Sequence, residues 1–398
     1  MKDTALNAAA SERWMLPEGI EEVLPPAAWQ LEDLRQRLLD QYRHNGYELI
    51  VPPLAEFLES LLTGTGRDLD LKTFKITDQL SGRMMGIRAD MTPQVARIDA
   101  RQPASGVRRY CYIGTTLLTR PKTVNGSRAP VQVGCELFGS AALEADLEII
   151  RMMLVSLAIC GTPATHLELG HMGVYRAVLA QPGIPESLRQ DLFDALKRRA
   201  IPEIDRLAAE LPEHLAKQVC ALPRLSGGPE VLDEAAALLS GTGLEAVLNV
   251  LRRVATEVQR MAPEVALHVD LGEMRGYAYH TGLTFSAYRK GLGVALAQGG
   301  RYDGVGASFG NARPATGFSM DMRVILSLLS IRPATPSAVL APAEEDPELD
   351  ALIAGLRETE VVIRRLPGDR PEDYAARCDR QIVRQGDAWC VQPFSTSP

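Results

Sequence analysis

A short polar stretch in the first quarter of the chain carries side chains suited to holding a small charged ligand. In "GIRADMTPQVARI", residues 86–98, Arg88, Asp90 and Thr92 stand two residues apart with apolar neighbours between them. Side chains with this spacing point to one face of a β-strand, so we expect a strand that presents all three on a shared surface. An alternative is that Arg88 and Arg97 only pair with acids inside the sheet.

Three further segments combine polar side chains with glycines. In "PVQVGCELFG", residues 130–139, Gln132 and Glu136 alternate with Val131, Val133 and Leu137, which predicts a strand with one polar and one apolar face. A purely structural role for Gln132 and Glu136 is the alternative, because half-buried polar strand faces are common. The other two segments are "MRGYAYHTGLTF" (274–285) and "AQGGRYDGVGASFG" (297–310).

The elements that must position these residues follow from periodicity. An amphipathic helix is expected over residues 28–45, and an antiparallel hairpin over 72–77 and 83–91. Two β-rich runs (108–118 and 130–139) precede a helix in "LEADLEIIRMMLVSLAIC", and the region from about 173 to 262 is helical in pattern. Strands resume in "ALHVDLG", "LTFSAY" and "GVALAQGG", and "FSMDMRVILSLLS" is expected to close the unit as a helix.

Composition limits the class of protein. The 398 residues are 46% hydrophobic and 23% charged, with a net charge of -7, which disfavours nonspecific nucleic-acid binding. The cations between Arg108 and Arg128 form either a solvated loop or an anion-facing surface. The six cysteines are scattered without a C-x-x-C pair, so we expect reduced thiols, a cytoplasmic location and no metal. No run is apolar enough to span a membrane.

Taken in order, "RADMTPQVAR", "QVGCELFG", "MRGYAYHTGLTF" and "AQGGRYDG" resemble histidyl-tRNA synthetase, a class II synthetase built on an antiparallel sheet flanked by helices. The resemblance begins near "LPEGIEEVLPP" and runs to about residue 330. It implies an α+β class II fold with a helical insertion at about 173–262. It also implies a self-dimer through "GYELIVPPLAEF", the class II dimer-interface element.

The same resemblance implies a histidine pocket. Asp90, Thr92 and Gln132 would receive the ammonium group, although the synthetases have glutamate where this chain has Asp90. Glu136 and Tyr279 would contact or flank the imidazole. Arg275 would meet the carboxylate, because a guanidinium matches its two oxygens.

The nucleotide-binding motifs depart from the synthetase pattern. "GTTLL" (114–118) stands where the synthetases have "GPMFR", so the arginine that neutralises the ATP α-phosphate is replaced by Leu118. "GFSMDMRV" (317–324) stands in place of "GFAMGLER", so the second arginine falls on Val324. "RGYAYH" replaces "RGLDYY" as well. We expect adenylation to be lost, with the alternative of an active histidine-adenylating enzyme that uses Arg120 or Arg323 instead.

A chain that lacks the two ATP-binding arginines but keeps the amino-acid pocket resembles the ATP phosphoribosyltransferase regulatory subunit family. This resemblance implies a non-catalytic, allosteric subunit without a cofactor. It would form a hetero-oligomer with the short-form catalytic subunit in the first step of histidine biosynthesis, and histidine would act as a feedback ligand. A Pro-rich linker (331–338) and a small acidic α/β domain (339–398) replace the anticodon-binding domain of the synthetases.

Overall fold

The computed structural model describes residues 15–63, 67–103, 105–121, 123, 126–274, 279–330 and 337–395, without the side chains of 67 and 68. The chain divides into two compact units, with the boundary between Leu329 and Ser330 and with the short segment 24–28 grouped with the second unit. All six cysteines lie in the described part and carry free thiols. No helix of the described part is long and apolar enough to cross a membrane.

A large, mostly antiparallel sheet forms the centre of the first unit. Its described strands run in the order β1-β5-β6-β12-β11-β10-β7-β9-β8, and only the pairs β1–β5 and β7–β9 among them are parallel. A smaller sheet, β2-β4-β3, lies in the same unit. The strands are β1 (Glu48–Leu49), β2 (Ala55–Phe57), β3 (Phe74–Thr77), β4 (Met84–Ile87), β5 (Arg108–Thr115), β6 (Val131–Phe138), β7 (His166–His171), β8 (Ser226–Gly227), β9 (Ala266–Asp270), β10 (Leu283–Tyr288), β11 (Ala297–Arg301) and β12 (Ala315–Asp321).

Helices cover the sheet and fill the predicted insertion. The helices of the first unit are α1 (Ala27–His44), α2 (Leu58–Leu62), α3 (Arg67–Lys72), α4 (Thr92–Ala100), α5 (Leu143–Ile159), α6 (Met172–Leu179), α7 (Glu186–Lys197), α8 (Ile201–Ala208), α9 (Glu213–Ala221), α10 (Val231–Leu238), α11 (Glu245–Met261) and α12 (Met322–Leu328). Short 3-10 turns occur at Leu222–Arg224 and Val305–Phe309. The predicted amphipathic helix, the hairpin and the helical insertion are therefore confirmed. Residues 172–261, which contain α6 to α11, are called the helical module below.

The alternation predicted for β6 sorts its side chains onto two faces. Val133, Cys135 and Leu137 join the main apolar core, which also contains the buried faces of α1 and α5. Tyr110, Tyr112, Phe138 and Tyr302 form a second cluster with Met91 and Val95 of the α4 region. Because side chains alternate along a strand, Gln132 and Glu136 lie on the face of this second cluster.

Two predicted elements of the first unit are wrong in extent. The strand expected to carry Arg88, Asp90 and Thr92 ends at Ile87, and Thr92 begins α4 with Pro93 in its first turn. Proline suits that position because it lacks the N–H that a first turn leaves unpaired. The segment "FSMDMRVILSLLS" is a strand up to Asp321 and a helix only from Met322, since β12 pairs with both β6 and β11.

The second unit is a small α/β domain. Its described strands are β13 (Ala338–Ala341), β14 (Val362–Arg364), β15 (Cys378–Gln385) and β16 (Ala388–Pro393), in the order β14-β13-β15-β16, with α13 at Pro347–Leu356. The composition of "PEDYAARCDR" predicts a helix, which is wrong, because the structure has only a short 3-10 turn at Pro371–Tyr374 before β15 begins at Cys378. Most of the predicted linker lies outside the described residues, and Ala338 already begins β13.

Candidate ligand pocket and altered nucleotide region

Glu136 forms the base of a buried polar network on one face of the large sheet. It is 1% exposed on β6, where its Oε1 accepts a hydrogen bond of 3.0 Å from the hydroxyl of Tyr112. Its Oε2 accepts one of 2.5 Å from the hydroxyl of Tyr302. Burial raises the pKa of Glu136 to about 8, although the hydrogen bonds from the two tyrosine hydroxyls act to lower it. Burial likewise raises the pKa values of Tyr112 and Tyr302, with the Glu136 charge as a further cause.

This network continues to Asp90 in the turn between β4 and α4, to Thr92 at the start of α4 and to Gln132 on β6. Asp90 Oδ1 accepts hydrogen bonds from Gln132 Nε2 (2.8 Å) and from the Thr92 backbone N–H (3.0 Å). Gln132 Oε1 accepts the Met91 N–H at 2.9 Å, and the Thr92 hydroxyl lies 3.2 Å from that of Tyr112. Hydrogen bonds thus connect Asp90 to Glu136 through Thr92 and Tyr112.

The aromatic ring of Tyr279 covers the same cluster. It stacks on Tyr302 with ring centroids 5.0 Å apart and an interplanar angle of 27°. Its buried hydroxyl has no hydrogen-bond partner among the described residues. Burial raises the pKa of Tyr279, and the nearby Thr92 side chain acts in the opposite direction.

The structure therefore brings five predicted pocket residues together: Asp90, Thr92, Gln132, Glu136 and Tyr279. The sixth, Arg275, lies outside the described residues. Arg88 departs from the predicted shared surface, because it donates hydrogen bonds to the carbonyls of Thr115 (2.9 Å) and Pro52 (2.7 Å). Arg97 forms the alternative acid pair, with Glu56.

Sequence reasoning missed Tyr112 and Tyr302. A signal for Tyr112 was available, because Tyr110 and Tyr112 alternate with Cys111 and Ile113 along β5 as Gln132 and Glu136 alternate with apolar residues along β6. No comparable signal marks Tyr302, which follows the last residue of β11 and reaches Glu136 only through the tertiary fold.

The network offers groups of the kind that an α-amino acid needs. Both hydrogen bonds that Asp90 accepts from described residues reach Oδ1, which leaves Oδ2 able to accept a hydrogen bond from a ligand. Asp90 is half-buried and Glu136 fully buried, which places Asp90 nearer the solvent. The Glu136 carboxyl group can accept a hydrogen bond from a ring N–H or, when protonated, donate one to a ring nitrogen.

In the altered nucleotide region, Leu118 is incorporated into the fold. Its side chain is 1% exposed and its backbone forms a bridge with Thr73. The Leu118 N–H donates to Arg128 O at 2.7 Å, while Arg128 Nε donates to Leu118 O at 3.0 Å. The position that carries an arginine in the synthetases therefore holds a buried, apolar side chain in this chain.

Of the two arginines predicted to replace the lost clamp, Arg323 has partners within the chain and Arg120 is exposed. Arg323 donates to the carbonyl of Glu21 at 2.6 Å and to Ser127 Oγ at 3.3 Å, and Val324 packs against the main core. Arg128 donates to the carbonyl of Glu18 at 3.0 Å. Arg108 and Arg109, the first cations of the predicted basic stretch, form ion pairs with Asp99 and Glu148. Arg108, Arg109 and Arg128 of this stretch therefore have partners within the chain, whereas Arg120 is exposed and Lys122 lies outside the described residues.

Comparisons with known proteins agree with this arrangement. The histidyl-tRNA synthetase family model matches residues 19–325, and that of the ATP phosphoribosyltransferase subunit HisZ C-terminal domain matches residues 336–392. A crystal structure of an ATP phosphoribosyltransferase regulatory subunit/histidyl-tRNA synthetase from Bacillus halodurans C has a TM-score of 0.79 at 22% identity, covering 91% of this chain and 96% of its own. This likeness confirms the predicted class II fold.

Curated relatives extend over almost the whole length. The ATP phosphoribosyltransferase regulatory subunit of Hahella chejuensis is 49% identical over 389 residues, 97% of each chain. That of Thioalkalivibrio sulfidiphilus is 51% identical over 390 residues, 96% of this chain and 98% of the relative. The chain therefore belongs to the ATP phosphoribosyltransferase regulatory subunit family.

Proposed function

We propose that this chain is the non-catalytic regulatory subunit of ATP phosphoribosyltransferase in the first step of histidine biosynthesis, and that it acts in the cytoplasm. Catalysis resides in a short-form partner chain, with which this protein forms a hetero-oligomer. One observation supports this assignment above all: a buried polar cluster around Glu136, which includes five of the six predicted pocket residues, lies in the same fold as a nucleotide region in which Leu118 is buried.

Histidine is the proposed ligand of the cluster. Asp90, Thr92 and Gln132 receive its ammonium group, Glu136 and Tyr279 contact its imidazole, and Arg275 meets its carboxylate. Each charge-assisted hydrogen bond contributes about 1.5–3 kcal/mol, so a few together can hold a small ligand. Feedback control then requires that histidine bind two states of the complex unequally, with a coupling of about 1–3 kcal/mol.

A mixing experiment tests the regulatory role. The short-form catalytic chain is assayed for phosphoribosyl transfer alone, with this protein, and with this protein plus histidine. We expect little transfer from the catalytic chain alone, a large rise on addition of this protein, and a reduction by histidine. Absence of stimulation at saturating concentrations would contradict the proposal.

A matched pair of variants tests the pocket. Glu136→Gln should weaken histidine binding by about tenfold or more, because an amide NH2 group would replace one of the two oxygens that meet the hydroxyls of Tyr112 and Tyr302. Glu213→Gln changes the same functional group where the side chain is 84% exposed, and it should leave the affinity unchanged. Isothermal calorimetry compares the two, and equal affinities would move the histidine site elsewhere.

The self-dimer is also part of the proposal. Val51, between β1 and β2, is 80% exposed, and the neighbouring Leu49 and Leu54 are exposed as well. β1 is an edge strand of the described large sheet. An apolar surface at a sheet edge favours association with another chain.

A further inference from the structure

The helical module hydrogen-bonds to the chain on both sides of residues 275–278, and the second of these two flanks supplies Tyr279 to the pocket. One flank is residues 271–274 and the other is residues 279–282. Neither flank belongs to the module, yet each hydrogen-bonds to it through the backbone. The module therefore contacts the backbone that positions Tyr279 in the pocket.

The first flank is fixed to the module by main-chain contacts. The Leu271 N–H donates to Leu225 O at 3.0 Å. A Cβ at Gly272 would lie 2.8 Å from Leu222 O, so the backbones approach as closely as glycine allows. Immediately before this flank, buried Asp270 forms an ion pair with Arg199 of the module.

The second flank is held by Arg176 of α6. Its two terminal nitrogens donate to consecutive carbonyls, Nη1 to Thr281 at 3.1 Å and Nη2 to His280 at 3.1 Å. The Met172 N–H at the start of α6 donates to Gly282 O at 2.9 Å. Three hydrogen bonds therefore fix the main chain directly after Tyr279.

On its other side, the second flank meets the pocket. The Thr281 N–H donates to Arg301 O at 2.7 Å, and Thr281 Oγ1 accepts the Asp303 N–H at 3.0 Å. Tyr302, between these two residues, stacks on Tyr279 and donates to Glu136. The second flank is therefore held between α6 on one side and the residues next to Tyr302 on the other, so the hydrogen bonds to α6 help to fix how Tyr279 stacks on Tyr302.

We propose that Arg176 is a positioning residue through which the helical module sets the place of Tyr279, so that the module and histidine binding are coupled. This inference rests on the proposed histidine pocket. Coupling is reciprocal: a change in the module alters histidine affinity, and bound histidine restrains α6. Arg176 is exposed at the surface of the module, so its removal leaves the apolar core intact.

Calorimetry on the full chain measures the coupling. Arg176→Ala should weaken histidine binding by about three- to tenfold, in the range of substitutions that act through a second residue. Arg176→Lys keeps the positive charge and one donor group, so it should recover part of the affinity. Arg260→Ala is the matched control, because Arg260 pairs with Glu257 on the same helix of the module and its side chain is 74% exposed.

Hydrogen exchange supplies a readout that does not depend on histidine. Without ligand, R176A should exchange faster than wild type at residues 279–282, while R260A should not. With histidine, exchange in α6 should slow in wild type and less so in R176A. Wild-type affinity in R176A, or unchanged exchange at 279–282, would overturn the inference.

The two proposals fail in different ways. If wild-type protein does not bind histidine, the proposed ligand is wrong, and the ligand-free exchange of R176A still decides whether Arg176 positions the second flank. If wild type binds and R176A binds equally well, the pocket stands and the positioning role is wrong. Should R176A not fold, R176K carries both measurements, with smaller changes in the same direction expected.

Discussion

Gly317 lies directly opposite Glu136 in the pairing of β12 with β6, and a side chain at position 317 would collide with the Glu136 carboxyl group. Gly317→Ala should therefore displace Glu136 from the hydroxyls of Tyr112 and Tyr302. We expect a loss of about 1–3 kcal/mol in the free energy of unfolding, as for other overpacked cores. Histidine affinity should fall by about tenfold or more. Urea denaturation and calorimetry measure the two effects.

Gly355→Ala is the control for that substitution. Gly355 lies near the end of α13, and a Cβ there meets no atom within 4 Å. Alanine in a helix lowers the entropy of the unfolded chain, so this variant should be as stable as wild type or up to about 1 kcal/mol more stable. Equal stability losses in the two variants would show that the Glu136 contact is not the cause.

The raised pKa of Glu136 predicts a pH dependence of stability. Its pKa rises from 4.5 to about 8 on folding because the carboxyl group is buried, so the folded chain binds one more proton than the unfolded chain between these values. The contribution of Glu136 to stability is therefore complete below about pH 4.5 and is lost as the pH rises through about 8. Within this window it should lower the free energy of unfolding by up to about 1.4 kcal/mol per pH unit.

Glu136→Gln removes this titration, so its unfolding free energy should fall less steeply than that of wild type from about pH 5 to pH 8. Glu213→Gln should retain the wild-type slope in this range, because Glu213 is an exposed side chain whose pKa is lowered by Lys217. Denaturation at a series of pH values gives the slopes. Parallel curves for wild type and E136Q would mean that Glu136 is ionised throughout.

The exposed segment around β1 predicts a dimer that a single charge can break. Val51→Asp should convert the dimer into a monomer at micromolar concentration, because burying an unpaired carboxylate opposes association. Leu366→Asp alters an equally apolar, exposed position in the second unit and should leave the dimer intact. Sedimentation velocity distinguishes the two species. A monomeric wild type would contradict the proposed interface.

Local pattern predicted much of this fold, since the alternation in β6 and the helical spacing in α1 and α5 reflect burial against the sheet. The errors arose where tertiary contacts decide the outcome. Arg88 leaves the predicted surface because Gly114 on β5 provides space for its guanidinium group. Tyr302 joins the site through a hydrogen bond to a residue 166 positions away, which no local pattern encodes.

Leu118 supplies a test of whether the nucleotide site can be restored. If the loss were confined to a missing arginine, Leu118→Arg would recover histidine-dependent pyrophosphate exchange. The structure predicts otherwise, because Leu118 is fully buried and its backbone is paired with Thr73 and Arg128. An arginine there would be a buried, unpaired charge, which should destabilise the protein by more than about 3 kcal/mol without producing activity.

Val324→Arg, at a half-buried position, is the milder companion variant and should fold but also remain inactive. Pyrophosphate exchange by the wild-type chain would favour an active adenylating enzyme. Exchange gained only by a variant that carries both Leu118→Arg and Val324→Arg would show that the nucleotide site had kept its shape.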